Sequence, residues 1–309
     1  MKRQKRLFYL ARDAGATGAF LAISLARISH AFRGVPNMEG RPVVVLGNGP
    51  SSEQSVRQLM KVRDWVTVVC VNDFYRSESF QELRPEFYVI ADPHYWIRET
   101  QEWHALPLVA GFANVTWPMH FFMPTEAASF IEEGLSSNKN ISLHAYNRMP
   151  AWGFTWARHL SYRLGLGMPR PQNVMVAALF LALKGGAKTI YLGGAEHLWH
   201  ESIKLSDENM LFVSHGSTGE QGSPLVPFYK VLGGEIWTVP DIFEAWSAVH
   251  RSYHDIAKWA KALGATIENF TPTTFIDAFA RTNLEAITQR LESGAGAAGV
   301  PASAKVVPS

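Results

Sequence analysis

Three short runs, at 43–46, 66–71 and 87–91, are apolar at almost every position and rich in β-branched residues. A strand with one wet face alternates apolar and polar side chains, whereas a run without alternation is buried on both faces. Stretches compatible with helix separate the runs. The sequence therefore predicts an α/β fold, Rossmann-like, with a mostly parallel sheet and helices on both faces. Parallel order lines up the strand ends along one edge, where such sheets bind ligands. Each run ends there in polar residues: Gly47-Asn48-Gly49, then Asn72-Asp73, then Asp92-Pro93-His94.

The first end carries the most information. Ser51 has Gln54 three residues on, which is capping-box spacing and predicts a helix over about 51–61. Strand, glycine turn and helix N-terminus together make an anion site, because unpaired N–H groups and the helix dipole favour phosphate. Gly47, Asn48, Gly49 and Ser51 are its candidate ligands, with the glycines letting the backbone approach the ligand. The spacing completes neither G-x-G-x-x-G nor a Walker loop. An ordinary strand–helix turn is the plain alternative.

Further along, the sequence predicts strands at 189–192 and 266–269, and shorter ones near Leu108 and at 120–123. A helix over 173–183 is apolar nearly all round, so it should be buried. Another, over 240–263, carries one apolar stripe and stops at Gly264. Residues 134–172 read as irregular, a short helix is expected from Thr271, and 199–238 read as a lid. The layout is a basic amphipathic segment at 1–40, a nucleotide-binding α/β domain at 41–285, and a disordered tail at 286–309. The first segment opens Lys2-Arg3-Gln4-Lys5-Arg6, and its apolar stretch at 14–26 is too short to span a bilayer. It suits either an anionic membrane surface or a helix packed on the domain. A net charge of +2 argues against a nucleic-acid partner, and a single cysteine excludes a disulfide framework or a cysteine-based zinc site.

Several side chains are candidates for chemistry. His250, at the edge of the long helix's stripe, suits a general base near neutral pH, or a boundary histidine that merely packs. His197 and His200 have metal-like spacing without further ligands, and a phosphate or carboxylate of a substrate suits them better. Asn48 and Asn72 can read a base or ribose, since an amide both donates and accepts. Asp92 can hold a hydroxyl or Mg²⁺, or cap the next helix. No G-x-S-x-G elbow supports a serine hydrolase.

Four segments in order resemble the bacterial lipooligosaccharide sialyltransferases of glycosyltransferase family 42. They are Gly47-Asn48-Gly49-Pro50-Ser51, Val71-Asn72-Asp73-Phe74-Tyr75, Thr189-Ile190-Tyr191-Leu192-Gly193-Gly194 with Glu196 where the family has Asp, and His250 with Asp255-Ile256 and 272–279. The resemblance, over about residues 42–281, implies a GT-A-like domain with a lid. It implies inverting, metal-independent transfer of an acidic sugar, nonulosonic or Kdo-type, from a CMP donor to a glycan or glycolipid acceptor. No cofactor is implied. By position, Asn48, Ser51 and Asn72 would bind CMP and His250 would be the base. The lid tyrosines of the family are replaced by Leu198 and His200, and its Ser-Gly by Gln172-Asn173, which would meet the donor sugar. The Gly-x-Gly-Pro-Ser opening and the stretch 85–93 also resemble the 6-hydroxymethylpterin diphosphokinase-like group. That likeness implies ATP and Mg²⁺, with Asp92 as a metal ligand. A non-catalytic nucleotide-binding protein of a glycan gene cluster is the third reading.

Overall fold

The computed structural model describes residues 2–26, 32, 34–97, 105–201, 203–214, 225–227 and 235–298. In chain order the elements are α1 (Lys2–Ala26), β1 (Val43–Leu46), α2 (Ser52–Leu59), β2 (Thr67–Val71), α3 (Phe80–Leu83), β3 (Phe87–Val89), α4 (Ala105–Ala113), β4 (Met119–Pro124), α5 (Ala128–Leu135) and β5 (Ile141–Tyr146). Then come α6 (Thr155–Leu164), α7 (Val174–Lys184), β6 (Thr189–Gly193), β7 (Ile203–Leu205), β8 (Leu211–Ser214), β9 (Leu225–Pro227), α8 (Val239–Ala262), β10 (Thr266–Asn269), β11 (Ala280–Arg281) and α9 (Leu284–Ala298). Eight strands form one sheet in the order β11-β10-β6-β1-β2-β3-β4-β5. Every neighbouring pair in it is parallel. From β1 the chain builds outward one way through β2 to β5, and the other way through β6, β10 and β11. The order reverses between β1 and β6, which makes that gap the topological switch point.

Successive residues of the central strands feed two cores, as a period of two requires. Val43, Val45, Val69 and Val71 pack in the core with α7 and α8, while Val44, Leu46, Val68 and Cys70 pack on the other face with α2, α4, α5 and α9. Val174 to Leu183 are all buried, which is why α7 shows no polar stripe. Burial also pushes the Cys70 thiol well above its ordinary range and makes it a core residue.

Some elements differ from the sequence reading. Leu108 lies in α4, not a strand; its apolar neighbours fit either element, and periodicity does not separate the two in a short run. Residues 134–172 contain β5 and α6. β5 is an edge strand with only its end residues buried, and α6 turns Trp156, Leu160 and Leu164 outward, so neither shows the expected pattern. No helix starts at Thr271; its N–H donates to Asn269 Oδ1 at 2.9 Å, and the segment runs on irregularly. Residues 286–298 belong to α9, which buries Leu284 and Ile287, whereas 299–309 lie outside the described residues. Between 199 and 238, β7, β8 and β9 form a small antiparallel sheet. Ser51 starts α2 without a side-chain capping bond, so the expected capping box is absent there; Thr238 and Asp241 form one at α8.

α1 docks through its C-terminal half. Phe20 is buried, and Thr17 Oγ1 accepts from the Phe154 N–H at 3.0 Å. Among the described residues, no helix is long and apolar enough to cross a membrane.

Candidate functional site

At the switch point two glycine turns lie back to back. The Gly47 N–H donates to Gly193 O and the Gly49 N–H to Gly194 O, each at 2.9 Å. A Cβ on Gly47 would stand 2.4 Å from Gly194 O, so this glycine is required by a neighbouring backbone and not by a ligand. Glu196, just past the β6 turn, reaches across. Its Oε1 accepts from the Ser51 N–H at 2.8 Å, and its Oε2 covers Gly49, where a Cβ would come within 1.6 Å.

That contact corrects the anion-site reading. The N-terminus of α2 already holds a carboxylate of this chain, and a phosphate in the same place would meet a like charge. Three buried oxygen atoms there, Asn48 Oδ1, Ser51 Oγ and Glu196 Oε2, have no hydrogen-bond partner. An amide oxygen and a carboxylate only accept. The place is therefore short of donors, and suits a ligand that brings hydroxyl or amine hydrogens.

Glu196 also joins this turn to a histidine pair. Its backbone O accepts from the Phe275 N–H at 2.8 Å. The Phe275 ring centre lies 4.6 Å from His200 and 5.8 Å from His250. Phe275 is 57% exposed, and Trp246 stands 6.3 Å from His200. Beside the pair is a cleft of about 500 Å³ lined by His250, His254, Thr274, Phe275, Asp277 and Arg281 among others. Desolvation lowers the pKa of His250 and the His254 charge adds to this, while Asp277 opposes it. Asp277 itself pairs with His254, Oδ1 to Nε2 at 3.1 Å. His250 is thus neutral at pH 7, with a lone pair to accept a proton.

His197 turns inward. It is 8% exposed, its Nε2 lies 2.7 Å from Tyr253 Oη, and its ring is 4.3 Å from that of Trp199. Burial is the main reason its pKa falls to about 3, with the charge of His250 contributing. It braces α8 against the segment after β6 and is turned away from solvent, contrary to its expected role as a substrate ligand. Its φ of 55° and that of Asn72, 44°, mark two strand ends where non-glycine residues adopt the left-handed region.

The other candidates lie along the same edge or behind it. Asn72 clamps β2 to β3, since its Oδ1 accepts from the Ala91 N–H at 3.3 Å and its backbone O accepts from Tyr88 Oη. Asp92 caps the short turn Pro93–Tyr95, accepting from the His94 N–H at 3.2 Å. Asn173 is the N-cap of α7, with its side chain accepting from the Met175 N–H at 2.7 Å, and Gln172 beside it is exposed. Asp255 is buried behind the site, where it holds Arg158 of α6 at 2.8 Å.

The structure thus brings Gly47, Asn48, Gly49 and Ser51 to Glu196, and links Glu196 through Phe275 to His200 and His250. Asn72 and Asp92 lie along the edge at β2 and β3. Sequence reasoning left Glu196, Phe275 and Tyr253 out of the site. The signal for Glu196 was a second glycine pair, Gly193-Gly194, at the end of another apolar run. Among the described residues no group of three or more His, Cys, Asp and Glu is placed to hold a metal ion.

No protein-family model matches the chain, and no curated protein matches it. Among solved structures, a MAf glycosyltransferase from Magnetospirillum magneticum AMB-1 is similar, with 11% identity and a TM-score of 0.45. The match covers 94% of this chain and 42% of that one. This chain therefore spans less than half of that protein's length, and a likeness so distant bears on neither its substrate nor its mechanism.

Proposed function

We propose that the chain is a glycosyltransferase that moves an acidic sugar, nonulosonic or Kdo-type, from a CMP donor to a bacterial surface glycan or glycolipid. The reading is supported above all by two unpartnered buried acceptors and an unpartnered hydroxyl at the switch point, joined through Glu196 and Phe275 to a half-buried histidine whose pKa is lowered. A ribose diol would donate to Asn48 Oδ1 and Glu196 Oε2 and accept from Ser51 Oγ, so on this reading the ribose, rather than the phosphate, lies at the glycine turn. Phe275 and Trp246 offer apolar faces for the base or sugar. His200, part-exposed beside Phe275, is the group to donate a hydrogen bond to the leaving phosphate.

In the reaction His250 takes the proton of the acceptor hydroxyl. The freed oxygen pair attacks the anomeric carbon from the face opposite CMP. The bond from that carbon to the phosphate oxygen breaks, and CMP leaves with the electron pair. A single displacement of this kind inverts the anomeric centre and needs no metal ion. General-base help of this sort contributes roughly 10²–10⁴-fold in rate.

The diphosphokinase reading gains nothing from the geometry. A triphosphate at the glycine turn would face Glu196, and Asp92 is engaged as a cap. The two readings separate in a thermal-shift panel of CMP, CDP, UDP, GDP and ATP, with and without Mg²⁺. A ligand of the folded state raises the melting temperature. CMP and CDP should do so without Mg²⁺. A response to ATP alone, dependent on Mg²⁺ and lost in Asp92→Ala, would overturn the transferase reading. Binding without turnover of any CMP-sugar would leave the non-catalytic one.

A further inference from the structure

We infer that α1 and α6 together form a docking face for an anionic membrane surface. Among the described residues, the exposed large apolar side chains are concentrated on these two helices. Leu7, Phe8 and Leu10 stand out from α1, with Phe8 67% exposed. Trp156, Leu160 and Leu164 stand out from α6, with Trp156 65% exposed. On α6 the three recur every four residues, so they form one stripe along its outer side. The inner side is fixed, because Arg158 and Tyr162 both bond Asp255 of α8.

The two helices meet where α6 begins. Phe20 of α1 packs edge-on against Trp152, with ring centres 6.3 Å apart, and Thr17 is bonded to Phe154 just before α6. Trp152 is itself 43% exposed. α6 follows β5, so this face begins at the strand-end edge that carries the candidate site.

Charge decides the occupant. Residues 1–11 carry Lys2, Arg3, Lys5 and Arg6 and no acid, Arg12 is paired with Asp13, and residues 134–195 contain no Asp or Glu at all. Arg163 and Arg170 are exposed within that second stretch. A second copy docked here would set cations against cations. A bilayer with anionic headgroups instead accepts the cations at its surface and the Trp and Leu side chains below it.

The inference goes beyond the proposed reaction and its test is independent of it. The full chain is sedimented with phosphatidylcholine vesicles, with and without phosphatidylglycerol. The protein should bind the anionic vesicles at least about tenfold more tightly than the neutral ones, and more weakly as salt rises. Two surface variants are compared: Phe8→Ser with Leu10→Ser, and Trp156→Ser with Leu160→Ser and Leu164→Ser. Each should lose about tenfold or more in vesicle binding with an unchanged melting temperature and an unchanged response to CMP. The inference is overturned if the wild-type chain stays in solution with both vesicles, or if either variant binds as the wild type does. A lipid-free dimer that the α6 variant splits would also overturn it, by making the face a contact between copies.

Discussion

Acidification should weaken the fold through His197 in particular. The ring is neutral in the folded chain, with a pKa of about 3, against an ordinary 6.5 once unfolded. A depressed value means that the unfolded chain binds the extra proton. The stabilisation from this residue is therefore complete above pH 6.5 and is lost progressively as pH falls towards 3. One proton is worth roughly 1.4 kcal/mol per pH unit, so passing from pH 7 to pH 5 removes about 2 kcal/mol. The comparison protein is His197→Asn, because asparagine tolerates the left-handed backbone at φ 55°. At pH 7 this variant should be less stable by about 1–3 kcal/mol, having lost the bond to Tyr253 and the packing on Trp199. Urea unfolding at pH 7, 6 and 5 then reads the difference between the two proteins. It should shrink by about 2 kcal/mol over that range, because His120, His144 and His159 titrate in both and cancel. A difference that stays constant from pH 7 to pH 5 would refute the buried, neutral His197.

Other perturbations test the switch point. Gly47→Ala should destabilise the chain by about 3 kcal/mol in urea unfolding, since its Cβ meets the backbone O of Gly194, which has no rotamer to move to. Glu196→Ala should uncover the N-terminus of α2, so that inorganic phosphate raises the melting temperature of this variant and leaves the wild type unmoved; an equal response in both would mean that Glu196 does not hold that place. The transferase rate should fall on the acid side only below pH 6.5, because His250 is shifted down and stays basic through neutrality. An acid limb above pH 7 in the rate profile would count against His250 as the base.

The sheet was legible because 43–46, 66–71 and 189–192 are buried on both faces, a condition that leaves its mark on every residue. The strand-end asparagines were legible for the same reason, since a polar residue after such a run lies at one edge. β5 and α6 were not, because an edge strand and a helix with an exposed apolar stripe break the patterns that signal burial. Glu196 was hidden by distance, lying far from Ser51 in sequence and meeting its N–H only once β1 and β6 pair. His197 shows the opposite error. Its spacing from His200 suggested a shared ligand, but the turn at 197 sends one ring to Tyr253 and the other to Phe275. Asn72, Asp92 and Asn173 turned out to have local structural work, which sequence position alone does not distinguish from ligand binding.

We propose that the strand-end site at β1 and β6, with His250 as base, transfers a sugar from a CMP donor. The most direct test is release of CMP from CMP-activated sialic acid, pseudaminic acid, legionaminic acid and Kdo by the wild type and by His250→Ala, with CMP binding followed in parallel. The wild type should turn over at least one donor, and the variant should lose about 10²-fold or more with CMP binding retained. Equal turnover in the two proteins, or none from any of these donors by a wild type that binds CMP, would contradict it.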